Sequence, residues 1–85
     1  MSQSLANNAF LNNRLQQLYH DNTDKLIDVI LRYDEMNTLL TAAGHDTTAL
    51  HAAIKSTMQS SLELMKVTND HVSQFNKDRE AEALT

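Results

Sequence analysis

The chain contains a single glycine, Gly44, and no proline. These residue types are the main helix breakers, so their near absence favours long helices on both sides of residue 44. Glycine suits the left-handed conformation with which many helices end. Asp46 and Thr47, which follow it, can accept hydrogen bonds from the free amides of a new helix. The sequence therefore predicts two helices joined at a tight turn.

Apolar residues match across Gly44 in pairs whose residue numbers add up to about 90. Leu40 pairs in this way with Leu50, and Leu26 with Met65. Two antiparallel helices bring such partners to the same level, because both rise by the same step per residue. We therefore predict an all-α fold, a long antiparallel helical hairpin.

The predicted domain spans residues 1–85. Its helices are expected at 4–43 and 47–80, with a turn at 44–46 and a frayed tail at 81–85. The polar run around residue 21 is rich in side chains that compete with helix for the backbone. It leaves open a version with three helices and a break near that residue.

On both helices apolar residues recur every three or four positions, which is the spacing of one buried face. Asn22 and Thr68 would form a polar layer in this face that sets the register, or else would meet solvent at a kink. The predicted core seam consists of Leu15, Leu18, Leu26, Val29, Tyr33, Met36, Leu40, Leu50, Ile54, Met58, Leu62, Met65, Val72 and Phe75.

Further large apolar residues fall outside this seam and form a predicted interaction surface. Soluble monomers seldom expose such a surface over a contiguous area, and a two-helix rod buries little core. We therefore expect docking of a protein partner, or dimerisation into a four-helix bundle, or both. The predicted interaction surface comprises Phe10, Tyr19, Ile27, Ile30, Leu31, Leu39, Leu64 and Val67.

Composition argues against several classes of partner. The net charge is −4 and no basic face is visible, which argues against nucleic-acid binding. The longest strongly apolar run, residues 29–31, is too short to span a membrane. No Sec-type signal precedes the first helix, so we expect a cytoplasmic protein, with export by another route left open.

No catalytic arrangement is visible in the sequence. One glycine cannot build a phosphate-binding loop, and no cysteine is present. We expect no enzymatic activity, no cofactor and no small-molecule substrate. The hairpin would bring His20 and His71 to one level, which makes them candidates for a metal-binding or pH-sensitive site. Solvated polar residues are the plainer interpretation of this pair.

In outline the chain is similar to secretion-associated helical hairpins, such as the secreted tryptophan-x-glycine proteins and the needle subunits of type III secretion. Its turn, from Ala42 to Asp46, lacks the tryptophan of the former and the proline usual in the latter. The sequence thus favours a non-enzymatic interaction module, namely a small regulator, chaperone or adaptor. The alternative is a self-assembling or secreted hairpin subunit of a secretion-type system.

Overall fold

The computed structural model describes the backbone of residues 2–84 and the side chains of residues 9–82. It contains two helices, α1 (Ser2–Ala42) and α2 (Thr48–Leu84), and leaves only residues 43–47 between them. The predicted hairpin is confirmed, and α1 continues without a break near residue 21. Helix α2 extends into the predicted tail as far as Leu84, while Met1 and Thr85 lie outside the described residues.

Helix α1 ends in a Schellman motif centred on Gly44. The amide of Gly44 donates to the carbonyl of Thr41, and the amide of His45 donates to the carbonyl of Leu40, at 3.0 and 3.1 Å. Gly44 has a φ of 89°, in the left-handed region that glycine enters without a steric penalty. The single glycine therefore satisfies the last carbonyls of α1 and reverses the chain.

Helix α2 begins with hydrogen bonds to the carboxylate of Asp46. The Oδ1 atom of Asp46 accepts from the backbone amide of Thr48 at 3.0 Å and from its hydroxyl at 2.7 Å. The hydroxyls of Thr41 and Thr47 also lie 2.9 Å apart, which links the end of α1 to the start of α2. Capping residues on both sides of Gly44 thus hold the turn in one geometry.

The hairpin is a rod with principal-axis extents of 64 × 16 × 11 Å. Its radius of gyration is 19.2 Å, whereas a compact chain of this length would have about 12 Å. The accessible surface is 6677 Å². A compact monomer of the same mass would expose roughly 5,100 Å², so the rod exposes about 1,600 Å² more than such a monomer.

The two helices meet along a narrow seam. Four side chains in this seam are buried: those of Ile30, Ile54, Val72 and Ser61. None of the described side chains is completely enclosed, because each helix covers only one side of the other. The packing therefore holds the hairpin together along a single line.

Replacing Gly44 with alanine should destabilise the hairpin by about 1–2 kcal/mol, because an L-residue pays that cost in the left-handed conformation. A Cβ at this position meets nothing within 4 Å, so the penalty comes from the backbone alone. Urea unfolding followed by circular dichroism measures it. Gly44→Asn is the matched control and should lose less, since asparagine tolerates this conformation. Equal stability of Gly44→Ala and the wild type would contradict the assignment.

The hydrogen bonds from the hydroxyl and the amide of Thr48 lower the pKa of Asp46 below its ordinary value of 3.8. Because the folded-state pKa is lower than the unfolded one, ionised Asp46 stabilises the fold above pH 3.8. That contribution is lost as the pH falls through the folded-state pKa. Thermal unfolding across this range should show a steeper loss for the wild type than for Asp46→Asn, which cannot titrate. Parallel profiles would count against the cap.

Candidate interaction surface

Helix α1 presents two longitudinal faces, and the less apolar one meets α2. The seam face consists of the buried and half-buried positions, which recur every three or four residues from Ala9 to Ile30 and once more at Asn37. Four of its members are polar: Asn12, Gln16, Thr23 and Asn37. In the part of α1 whose side chains are described, residues 9–42, the buried and half-buried residues are Ala9, Asn12, Gln16, Tyr19, Thr23, Leu26, Ile30 and Asn37.

The second face of α1 is more apolar and lies one residue earlier. We call it the apolar stripe of α1. Each of its members precedes a seam residue, as Val29 precedes Ile30 and Met36 precedes Asn37, so the two faces are about 100° apart around the helix. All its members are exposed: Leu11, Leu15, Leu18, Asn22, Lys25, Val29 and Met36.

Two hollows lie along the same side of the seam. One, of about 330 Å³, is lined by Ile30 and Tyr33 of α1 and by Leu50, Ala53, Ile54 and Thr57 of α2. The other, of about 240 Å³, is lined by Leu15, Leu18, Tyr19, Asn22, Thr23, Leu26, Leu64, Met65, Thr68 and Val72. We call this side of the rod, with the apolar stripe of α1 as its rim, the broad groove.

A smaller hollow of about 190 Å³ opens on the other side of the seam. Its rim is apolar on both helices, with Ile27 and Leu31 facing Met58 and Leu62. We call this side the opposite groove. Ile30 lines hollows on both sides, as expected for a residue at the centre of the seam.

The predicted interaction surface divides between these regions. Ile30 is only 7% exposed and lies in the seam, and Tyr19 is half-buried beside the broad groove. Residues 29–31 are all apolar, so the apolar pattern fits equally well with Val29 or with Ile30 in the contact between the helices. For this reason the sequence alone placed Ile30 outside the predicted core seam. The remaining members are exposed: Phe10, Ile27, Leu31, Leu39, Leu64 and Val67.

The predicted seam residues also divide between two environments. Those on α2 mostly lie in the seam, where Leu50, Ile54, Met65, Val72 and Phe75 are buried or half-buried, and Leu26 is the one half-buried member on α1. Those on α1 mostly belong to the rim of the broad groove. The exposed members are Leu15, Leu18, Val29, Tyr33, Met36, Leu40, Met58 and Leu62.

Polar atoms interrupt the seam at several levels. Asn22 is exposed, and Thr23 instead lies with Thr68 at the polar level that the sequence placed near residue 22. Near the open end of the hairpin, Asn12 Oδ1 and Arg79 Nε are buried without a hydrogen-bond partner. Unpaired buried polar atoms cost stability, so the seam is a weak helix contact.

Titratable side chains are not gathered into a site. His20 and His71 are both exposed, and the ring of His20 packs edge-on against Tyr19 with the ring centroids 5.5 Å apart. Among the described residues, no three histidine, aspartate or glutamate side chains are placed to hold a metal ion. Within the same part of the chain, neither helix has a stretch long and apolar enough to cross a membrane.

Truncating adjacent residues on the two faces of α1 should have different effects on the isolated hairpin. Ile30→Ala should lower the free energy of unfolding by about 2–5 kcal/mol, because it leaves a cavity in the seam. Val29→Ala should cost about 1 kcal/mol or less, because Val29 is 47% exposed. Chemical denaturation in dilute solution measures both. A larger loss for Val29→Ala would mean that the apolar stripe, and not the seam face, packs against α2.

Comparison of the chain with models of protein families, with curated proteins and with solved structures finds no significant match.

Proposed function

We propose that this chain is a non-enzymatic protein–protein interaction module, a small regulator, chaperone or adaptor that acts through helix packing. The observation that carries the proposal is the position of the apolar stripe of α1. This face is richer in large apolar residues than the seam face, yet it lies outside the contact between the helices. The chain thus exposes the better helix-packing surface of α1 and buries the poorer one.

The area of exposed surface supports the same proposal. The rod exposes about 1,600 Å² more than a compact monomer of its mass would. Much of its side-chain surface is apolar: Leu31, Leu39, Leu62 and Leu64 are each about 60% exposed. Large apolar side chains exposed in this number are typical of surfaces that contact another molecule.

The chemistry of the grooves favours contact with apolar side chains. The three hollows beside the seam are lined by aliphatic, aromatic and neutral polar residues, and among the described residues Tyr19 and Tyr33 are their only titratable lining residues. Met36 and Met58 on the rims can adapt to an uneven partner surface, because their side chains are flexible and polarisable. Such a lining suits a partner helix better than it suits acid–base catalysis.

A self-assembling hairpin subunit, including a secreted one, is the second candidate function. The opposite groove supports it, because Ile27 and Leu31 give the rod an apolar surface on a second side. A molecule with two such sides can contact a different copy on each, and contacts of this kind continue into a filament when they do not close. This candidate predicts that the mean mass keeps growing with concentration, whereas the interaction module predicts one small closed assembly.

Site-specific photo-crosslinking tests the proposal. A photoreactive residue at Met36, on the rim of the broad groove, should give one discrete adduct in extract from the source cell. The same residue at Glu35 is the matched control and should give little adduct. Glu35 is exposed on the back of α1, away from both the seam face and the apolar stripe. Equal yields at the two positions, or a smear at both, would contradict an interaction site in this groove.

The photo-crosslinking result counts only for folded protein. Both labelled chains should show the helical circular dichroism spectrum of the unlabelled chain. Met36 is 53% exposed and Glu35 is exposed as well, so neither change removes a buried contact.

A further inference from the structure

We infer that the occupant of the broad groove is a second copy of this chain, packed groove to groove with both turns at the same end. In this arrangement α1 of each copy lies on α2 of the other. The inference rests on the proposed function, since it names the partner of the same surface. Four observations carry it: the area left exposed, the angle between the two faces of α1, the sizes of the residues that would face each other, and the positions of charge.

The exposed area fits a homodimer. Each rod exposes about 1,600 Å² beyond the expectation for a compact monomer. Two rods that cover this excess would together bury about 3,200 Å², within the range of roughly 2,000–5,000 Å² for obligate homodimers. The apolar rim runs from Leu11 to Leu40, about 44 Å along α1. A single partner helix that covers it must be of similar length, and each helix of a second copy is that long.

The angle between the faces of α1 fits a bundle of four helices. The apolar stripe and the seam face are about 100° apart. In a four-helix bundle with a square cross-section, a helix meets its two neighbours about 90° apart, whereas a single added helix would make a triangle with neighbours about 60° apart. The stripe is therefore directed at a second layer of two helices, which a second hairpin supplies.

At two levels, small residues of α2 lie where large residues of α1 would pack. A two-fold axis along the rod keeps every residue at its own level, so Met36 of one copy lies level with Ala53 of the other. Val29 lies level with Ser60, one heptad after Ala53 on the same rim of α2. Large side chains over small ones allow two layers to interdigitate.

The charges select this arrangement over the one with turns at opposite ends. Arg14 lies four residues before Leu18 and Lys25 lies in the stripe seven residues after Leu18, and both are exposed. With turns at the same end, Arg14 comes within about one helical turn of the level of Asp78, which follows Leu64 by about four turns on the rim of α2. With turns at opposite ends, α1 would pack against α1 of the other copy. The two Lys25 side chains would then meet near the centre of the interface.

Cysteine crosslinking tests the inference, because the chain contains no cysteine and each introduced thiol is unique. Full-length Met36→Cys and Ala53→Cys chains are mixed, and only the latter carries a mass tag. A short bis-maleimide is then added. We expect the mixed adduct to exceed each adduct of like chains several-fold. Glu35→Cys mixed with Ala52→Cys is the matched control, because both residues are exposed on the sides of the helices that face away from the groove. This pair should give only the background yield of adduct.

Solution mass completes the test. Sedimentation equilibrium should give twice the chain mass of 9.6 kDa, and the double variant Val29→Glu, Met36→Glu should return it to a single chain with helical content retained. Preferential self-adducts of Lys25→Cys would overturn the same-end arrangement. A single-chain mass at all concentrations, with Met36–Ala53 adducts at background, would overturn the second copy as partner. The proposed function would survive that result if photoreactive Met36 still gave a discrete adduct of another mass.

Discussion

The seam between α1 and α2 is the contact on which the rest of the structure depends, and it is only half apolar. Ile30 and Ile54 anchor it, but Asn12, Asn37 and Ser61 occupy further positions in it. A hairpin closed by such a seam gains little from burial, and polar atoms without partners subtract from that gain. The turn therefore matters more here than in a larger domain, because Gly44 and the Asp46 cap set the geometry in which the two helices meet.

This weakness is linked to the exposed surface. A helix with one apolar face can bury that face against one neighbour, but α1 carries two faces about 100° apart. Within one chain only α2 is present to cover them, and it covers the face that includes Ile30. The apolar stripe with Val29 and Met36 then stays in contact with solvent. Both proposals made for this protein follow from that geometry, since a second pair of helices would cover the stripe without displacing the seam.

Much of the fold could be predicted from the sequence, but less of the candidate site. The position of the turn followed from the single glycine, and the pairing of levels followed from equal helical rise, as Leu26 and Met65 illustrate by lining one hollow. Which face of α1 packs against α2 could not be derived in the same way. A count of apolar residues favours the stripe with Val29, while contact with α2 uses the neighbouring phase with Ile30. A heptad search would not have separated the two phases, because each stripe residue precedes a seam residue and both faces therefore have the same spacing.

The sequence by itself determined the secondary structure, the turn and the antiparallel pairing, because these depend on local backbone preferences and on a constant rise per residue. Only the tertiary structure decided which face of α1 meets α2. That choice is a competition between two faces one residue apart, and both contain residues that can pack. Its outcome depends on how the side chains of both helices fit together. The contact selects the face with Ile30, and that selection leaves the broad groove open.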